Sequence, residues 1–245
     1  MGKEELITIN NPLSPVAEAY RTLRTNIQFS SIDKKVQVIA VTSSGPGEGK
    51  STIAANLAVV TAQAGKKTLL IDCDQRKPRQ HKVFGLSNEY GLSNLLAEEA
   101  SFAAVVQKSG VDNLLLLTSG TKPPNPSELL ASSKMKNFIH SLRGQLDFII
   151  IDTPPLLMVT DAQLLSNYID GYILTIASGE ADREAAAKAK ELLDNVNGKI
   201  LGAVLNKLDM NDKGYYGYYS HYYYGVDGEK HKDKSNKKRK KRERA

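Results

Sequence analysis

The sequence predicts an α/β fold, a doubly wound and mostly parallel sheet spanning residues 36–208, and three observations carry that prediction. Apolar, β-branched runs recur without polar alternation, as strands buried on both faces require. Helix-like segments separate these runs, and several of them open on Ser or Asp N-caps or close near Gly. No internal repeat interrupts the alternation, which is the pattern of parallel strands joined by helical crossovers.

In chain order, SPVAEAYRTLRTNIQF (14–29) reads as a helix within a polar N-terminal segment, residues 1–35, that also holds Pro12. VQVIAVT (36–42) is the first strand, and STIAANLAVVTAQAG (51–65) is the helix behind it, ending at Gly65. TLLIDCD (68–74), LLLLTSG (114–120), FIIIDTPP (148–155), GYILTIAS (171–178) and ILGAVLNK (200–207) supply the other strands. GLSNLLAEEA, SELLASSKMKNFIHSLRG, DAQLLSNYI and ADREAAAKAKELLDNV supply the other helices. After Lys207 the periodicity stops, and residues 209–245 read as a flexible tail, first tyrosine-rich and then basic.

With 245 residues the chain can bury one substantial core. Its formal charge of +6 is uneven: residues 229–245 hold ten Lys and Arg against three acids, so the body is near neutral. Such a polycation suits an anionic membrane face, nucleic acid or an acidic partner. Cys73 is the single cysteine, which excludes a disulfide framework and points to a reducing compartment. No apolar run approaches the roughly 20 residues that cross a bilayer. The N-terminus is no signal peptide. The expected location is therefore the cytoplasm, with membrane contact peripheral or through a partner. The four histidines share no metal-ligand spacing, which argues against a zinc site.

The strongest chemical signal is VIAVTSSGPGEGKST, where a buried strand feeds a glycine-rich turn and then a helix. Ser44, Gly45, Pro46, Gly47, Glu48, Gly49, Lys50, Ser51 and Thr52 form the stretch expected to wrap a phosphate chain, with backbone N–H groups from every residue but the proline. Lys50 would reach the β- and γ-phosphates, and the Ser51 hydroxyl would ligate Mg²⁺. Ser44 stands where the G-x-x-x-x-G-K-[ST] pattern has its first glycine, yet strand, turn and helix are all in place. The reading is a P-loop NTPase that binds ATP with Mg²⁺.

Two acidic signals accompany the loop. Asp72 and Asp74 lie two apart at the end of an apolar strand, hence on one face, and Arg76 follows them. Acids at the carboxyl ends of parallel strands open into the ligand crevice, although one of this pair could instead cap a helix. FIIIDTPP places Asp152 where a Walker-B acid holds the metal through water. Asp72, Asp74 and Asp152 exceed what one cation needs, and a spare carboxylate can take the proton of a hydroxyl nucleophile. GYYGYYSHYYYG (214–225) holds seven of the eleven tyrosines, so a phenol is a natural acceptor.

These residues resemble the bacterial tyrosine kinases, or BY-kinases, that regulate capsule and exopolysaccharide production. SSGPGEGKST is similar to that family's variant Walker A, LLIDCDQR to its Walker A′, IIIDTPP to its Walker B, and the tyrosine cluster to its hallmark tail. EAYRTLRTN resembles the family's E-x-x-R-x-x-R oligomerisation motif, at Glu18, Arg21 and Arg24; without the resemblance these would read as a solvated helical face. The resemblance implies that Lys50, Asp72, Asp74 and Asp152 are catalytic, with Asp72 the base. It implies that Ser51, Asp74 and Asp152 serve the metal, and that Asn206 touches the adenine. It further implies phosphorylation of Tyr215, Tyr216, Tyr218, Tyr219, Tyr222, Tyr223 and Tyr224 between subunits of a homo-oligomeric ring. The implied partners are a membrane activator of the polysaccharide chain-length regulator type, a cognate tyrosine phosphatase and further protein substrates.

A rival of another class is a partitioning or septum-site ATPase switch that associates with DNA or membrane and phosphorylates nothing. That group shares the fold but carries a lysine early in the loop, where this chain has Gly45, and has no such tyrosine tail. Tyrosines beside Lys and Arg can stack bases, but within Gly-rich sequence they are better placed to reach an active site. Nucleic acid is therefore not expected as a partner.

Overall fold

The structure, a computed structural model, describes residues 6–30 and 36–208. The tyrosine cluster and the basic run lie outside the described residues.

Among the described residues seven strands build one sheet: β1 (Val38–Ser43), β2 (Thr68–Asp72), β3 (Val106–Lys108), β4 (Leu114–Leu117), β5 (Phe148–Asp152), β6 (Gly171–Ala177) and β7 (Ile200–Asn206). Their order is β3-β4-β2-β5-β1-β6-β7, parallel throughout except for the antiparallel β3 edge. Chain progression reverses between β5 and β1, so the loops leaving these strands open the crevice where doubly wound folds bind ligands.

Helices α1 (Ile7–Asn10), α2 (Pro15–Phe29), α3 (Lys50–Gln63) and α4 (Gln80–Phe84) come from the first half of the chain. α5 (Leu92–Leu96), α6 (Phe102–Val105), α7 (Pro126–Ala131), α8 (Ser133–Leu142), α9 (Asp161–Leu164) and α10 (Arg183–Asp194) follow. The two-residue period of the strands sorts the core into two layers. Ile39, Val41, Leu70 and Ile150 pack with α3, Leu6 and Ile27, whereas Val38, Ala40, Ile71 and Ile151 pack with Met135, Ile139 and Leu193. α3 is buried nearly all round because the sheet lies on one side of it and α1 and α2 on the other. Asn56 of α3 fixes that second contact, accepting from Thr8 N and Thr8 Oγ at 3.1 and 2.8 Å. No helix among the described residues is long and apolar enough to cross a membrane.

Several elements depart from the sequence reading. The expected 127–144 helix is two helices, because Ser132 is extended (ψ 152°) and its Oγ accepts from Met135 N, capping α8 instead of continuing α7. DAQLLSNYI forms only one α-turn followed by a 3-10 turn at Leu165–Asn167. β3 was not expected; three half-exposed residues on an edge leave no periodic signature. β7 is apolar yet an edge strand, with Leu205 53% exposed, so its run of apolar residues does not mean burial on both faces.

Candidate active site

β1 ends at Ser43, and the chain turns through Gly47 and Gly49, both at positive φ (82° and 93°). A Cβ on Gly49 would lie 2.1 Å from Asn206 Nδ2, so at this position glycine is required twice over. Gly49 then starts α3, whose first N–H groups and positive dipole end face the crevice.

Ser44 is accommodated by Glu48. The Glu48 carboxylate is buried and accepts from Ser44 Oγ and Gly45 N through Oε1, and from Ala177 N of β6 at 3.2 Å through Oε2. Its carbonyl accepts from Asn206 Nδ2 at 2.9 Å. Glu48 thus ties the loop to the ends of β6 and β7, and its side chain serves the loop itself. Asn206, expected at the adenine, holds that carbonyl.

Parallel pairing of β2 and β5 sets Asp72 directly beside Asp152 in register. Lys50 reaches across, with Nζ 2.9 Å from Asp74 Oδ2, 3.7 Å from Asp152 Oδ1 and 3.2 Å from Ser51 Oγ. Burial opposes the Lys50 charge, but Asp152, Asp74 and Asp72 outweigh it and raise its pKa. Burial raises the Asp72 and Asp152 carboxyls, each further lifted by neighbouring carboxylates; backbone N–H groups oppose this at Asp72, and Lys50, Ser51 and Gln80 oppose it at Asp152.

Asp72 is not itself an N-cap residue, that position at α4 being Arg79, yet its carboxylate meets the start of that helix. Its Oδ2 accepts from Arg79 N and Gln80 N (3.0 and 2.9 Å) at the start of α4, while Oδ1 accepts from Asp74 N at 3.1 Å. One lone pair of Oδ1 therefore stays available. Asp74, beyond the end of β2, also accepts from Lys77 N at 2.9 Å.

The residues fit a magnesium ion delivered with a nucleotide. Asp152 Oδ1 is buried without a hydrogen-bond partner, and Ser51 Oγ and Asp74 Oδ2 are the other oxygens around Lys50. No group of three His, Cys, Asp or Glu side chains able to hold a metal occurs among the described residues. A cation here needs ligands from phosphate and water, as Mg²⁺ commonly does.

Other expected residues have different neighbours. Arg76 grips the buried Asp161 through Nε and a terminal nitrogen, both at 3.2 Å, with Ser127 Oγ bridging to the same carboxylate at 2.7 Å. Arg21 donates to Glu18 at 2.8 Å and to Pro12 O at 2.7 Å, and Arg24 donates to Val60 O of α3 at 2.8 Å. All three residues read as an oligomer contact thus bond within the chain, and Arg24 braces the far end of the phosphate-loop helix. Cys73 is fully buried in the opposite core layer, as its place between the two aspartates predicts. The sequence reading missed Gln80 altogether. Nothing in RKPRQHK marks it, because its role depends on three segments that meet only in the fold.

A protein-family profile described as an AAA domain matches residues 36–198. The tyrosine-protein kinase YwqD of Bacillus subtilis is 49% identical over 217 residues, covering 87% of this chain and 92% of that protein. The chain belongs to the bacterial tyrosine kinases. A solved relative of this BY-kinase, the chimerical protein CapA2B2, superposes with a TM-score of 0.81 at 45% identity, covering 84% of this chain and 90% of that one. The septum site-determining protein MinD of Pyrococcus horikoshii, complexed with Mg-ADP, follows at a TM-score of 0.61 and 25% identity, covering 73% of each chain. The BY-kinase therefore shares its P-loop architecture with the ATPase switches and its sequence with the kinases.

Proposed function

We propose that this chain is an ATP-dependent protein-tyrosine kinase that phosphorylates its own C-terminal tyrosines between subunits. The observation that carries the reading is the convergence of Lys50, Ser51, Asp74 and Asp152 at the N-terminus of α3, with Asp72 beside them. Lys50 and the α3 N-terminus bind the phosphates, and Ser51, Asp74 and Asp152 serve Mg²⁺, which neutralises phosphate charge when bound. A tyrosine oxygen forms a bond to the γ-phosphorus as the bond to the β-γ bridging oxygen breaks; ADP leaves and the phenolic proton passes to a carboxylate. Asp72 is the proposed acceptor, since burial raises its affinity for a proton and Oδ1 keeps a lone pair.

The domain organisation that fits this role is an N-terminal oligomerisation segment (1–35), a kinase domain (36–208) and an acceptor tail (209–245). Relatives with capsule-related names, such as the putative tyrosine-protein kinase CapB of Staphylococcus aureus, support a role in polysaccharide synthesis. The proposed setting is the inner face of the membrane, with a membrane activator as partner, a tyrosine phosphatase as its counterpart and other proteins as further substrates. Each phosphotyrosine adds about −1.5 to −2 charges, so a modified tail would lose its basic character and loosen subunit contacts; unchanged sedimentation after phosphorylation would contradict this.

Intact mass after incubation with Mg·ATP tests the reading, with Lys50→Met as control and ADP release read from the same tube. A ladder of added phosphates on residues 215–224, absent in Lys50→Met, is expected. ADP release without added mass would support the ATPase switch instead. Silence in both, with the activator's cytoplasmic segment also present, would refute the kinase.

A further inference from the structure

Gln80 hydrogen-bonds to all three motifs of the candidate nucleotide site. Its backbone N–H donates to Asp72 Oδ2 at 2.9 Å, and its Nε2 donates to Asp152 Oδ2 at 2.8 Å and to Ser51 O at 3.0 Å. The side chain is fully buried, yet among the described residues Oε1 has no hydrogen-bond partner, and neither has Asp152 Oδ1, which meets Lys50 Nζ only at 3.7 Å. Two buried acceptors without hydrogen-bond partners, joined through one hydrogen bond, are unfavourable unless a donor arrives. A hydrated divalent cation brings such donors, because Mg²⁺ keeps several of its waters when it binds.

We propose that Gln80 is a positioning residue for the metal. By occupying Asp152 Oδ2 it turns Oδ1 toward the cation's hydration shell, and its own Oε1 accepts a hydrogen bond from one of those waters. Its bond to Ser51 O holds the residue whose hydroxyl serves the same cation. The proposal rests on the Mg·nucleotide reading of the site, and the test separates the two.

Mn²⁺ binding to the ADP-loaded full-length protein is measured by electron paramagnetic resonance for wild type and Gln80→Met, with ADP binding in EDTA measured alongside. Outer-sphere partners of metal ligands contribute about 10–100-fold to affinity, so Gln80→Met should weaken Mn²⁺ by that factor and leave metal-free ADP affinity within about twofold. Mn²⁺ affinity unchanged in the variant would overturn the role of Gln80 while leaving the nucleotide site standing. Wild-type protein that binds no Mn²⁺ with ADP would overturn the underlying reading as well. Should Gln80→Met fail to fold, the wild-type Gln80 side-chain amide resonance decides: it should shift when Mg²⁺ joins ADP, and an unmoved resonance overturns the proposal.

Discussion

Two polar clusters sit at opposite ends of the same sheet, and they are built differently. At the amino ends of β1 and β6, Arg143 grips Asp170 through two nitrogens at 2.8 and 3.0 Å, and Asp170 Oδ2 also accepts from Gln37 N and Val38 N. Gln37 Nε2 closes the knot on the carbonyls of Arg143 and Leu146. Burial pushes the Asp170 carboxyl up, but Arg143 and the two N–H groups outweigh it and lower its pKa. At the carboxyl ends of β2 and β5 the balance is reversed: Asp72 and Asp152 are raised, and Gln80 Oε1 and Asp152 Oδ1 have no hydrogen-bond partner among the described residues, the latter meeting only Lys50 Nζ at 3.7 Å. A saturated cluster stabilises the fold; an unsaturated one keeps its bonding capacity for a ligand.

Substitutions can break this contrast. Asp152→Asn should cost about 10²–10³-fold in tyrosine phosphorylation, the scale of one lost electrostatic contact at a reacting phosphate. Its melting temperature should hold or rise, because one of several crowded buried carboxylates becomes neutral. Phosphate incorporation and calorimetry on one preparation check both halves, and a variant that is active or clearly destabilised would blur the distinction. Arg143→Met should do the opposite. Removing one partner of this half-buried pair takes charged donors from Asp170 and costs about 1.5 kcal/mol, visible in urea unfolding, while ADP affinity of the folded protein stays within about twofold.

Ser44→Ala is a local test, at the loop. It leaves the buried Glu48 carboxylate one donor short, a loss of roughly 1.5–3 kcal/mol for a bond to a charged group. Weaker ATP binding should follow, with little change in turnover at saturation. Restoring the consensus glycine with Ser44→Gly should not improve binding, since Glu48 would still lack its donor; tighter binding would show that Ser44 is merely tolerated.

The smallest effect is in pH. Asp72 and Asp152 have folded pKa values raised above the unfolded range, so their contribution is full below about pH 4 and is lost as pH rises through the folded values. Asp170 is depressed, so its contribution is present above about pH 4 and is lost as pH falls through its folded value. Nucleotide-free protein should therefore gain stability between neutral pH and about pH 5, by at most about 1.4 kcal/mol per pH unit for each proton taken up. Asp152→Asn should flatten that gain, and Asp170→Asn should remove the loss at more acidic pH. Urea midpoints across the range measure both.

Much of the candidate site was legible because its chemistry is local in sequence. Gly49, Lys50 and Ser51 need only a strand, a turn and a helix in succession, and the apolar runs ending at Asp72 and Asp152 announce strand ends. Glu48 was legible as part of the loop but not as its brace, since its partner on β6 lies 129 residues away. Arg24 looked like surface charge or an oligomer contact, and only the packing of α2 on α3 supplied Val60 O as its acceptor. The break at Ser132 was missed because two serines inside a helical pattern weigh little against the periodicity on either side.

The sequence by itself determined the fold class, the phosphate loop, the aspartates and the tyrosine-rich tail, because each follows from residues close together along the chain. Tertiary structure alone decided that the Asp72 carboxylate meets the start of α4, that Glu48 holds Ser44, and that Gln80 joins three motifs. Those roles depend on which buried donors find acceptors, and burial brings together groups that sequence distance keeps apart.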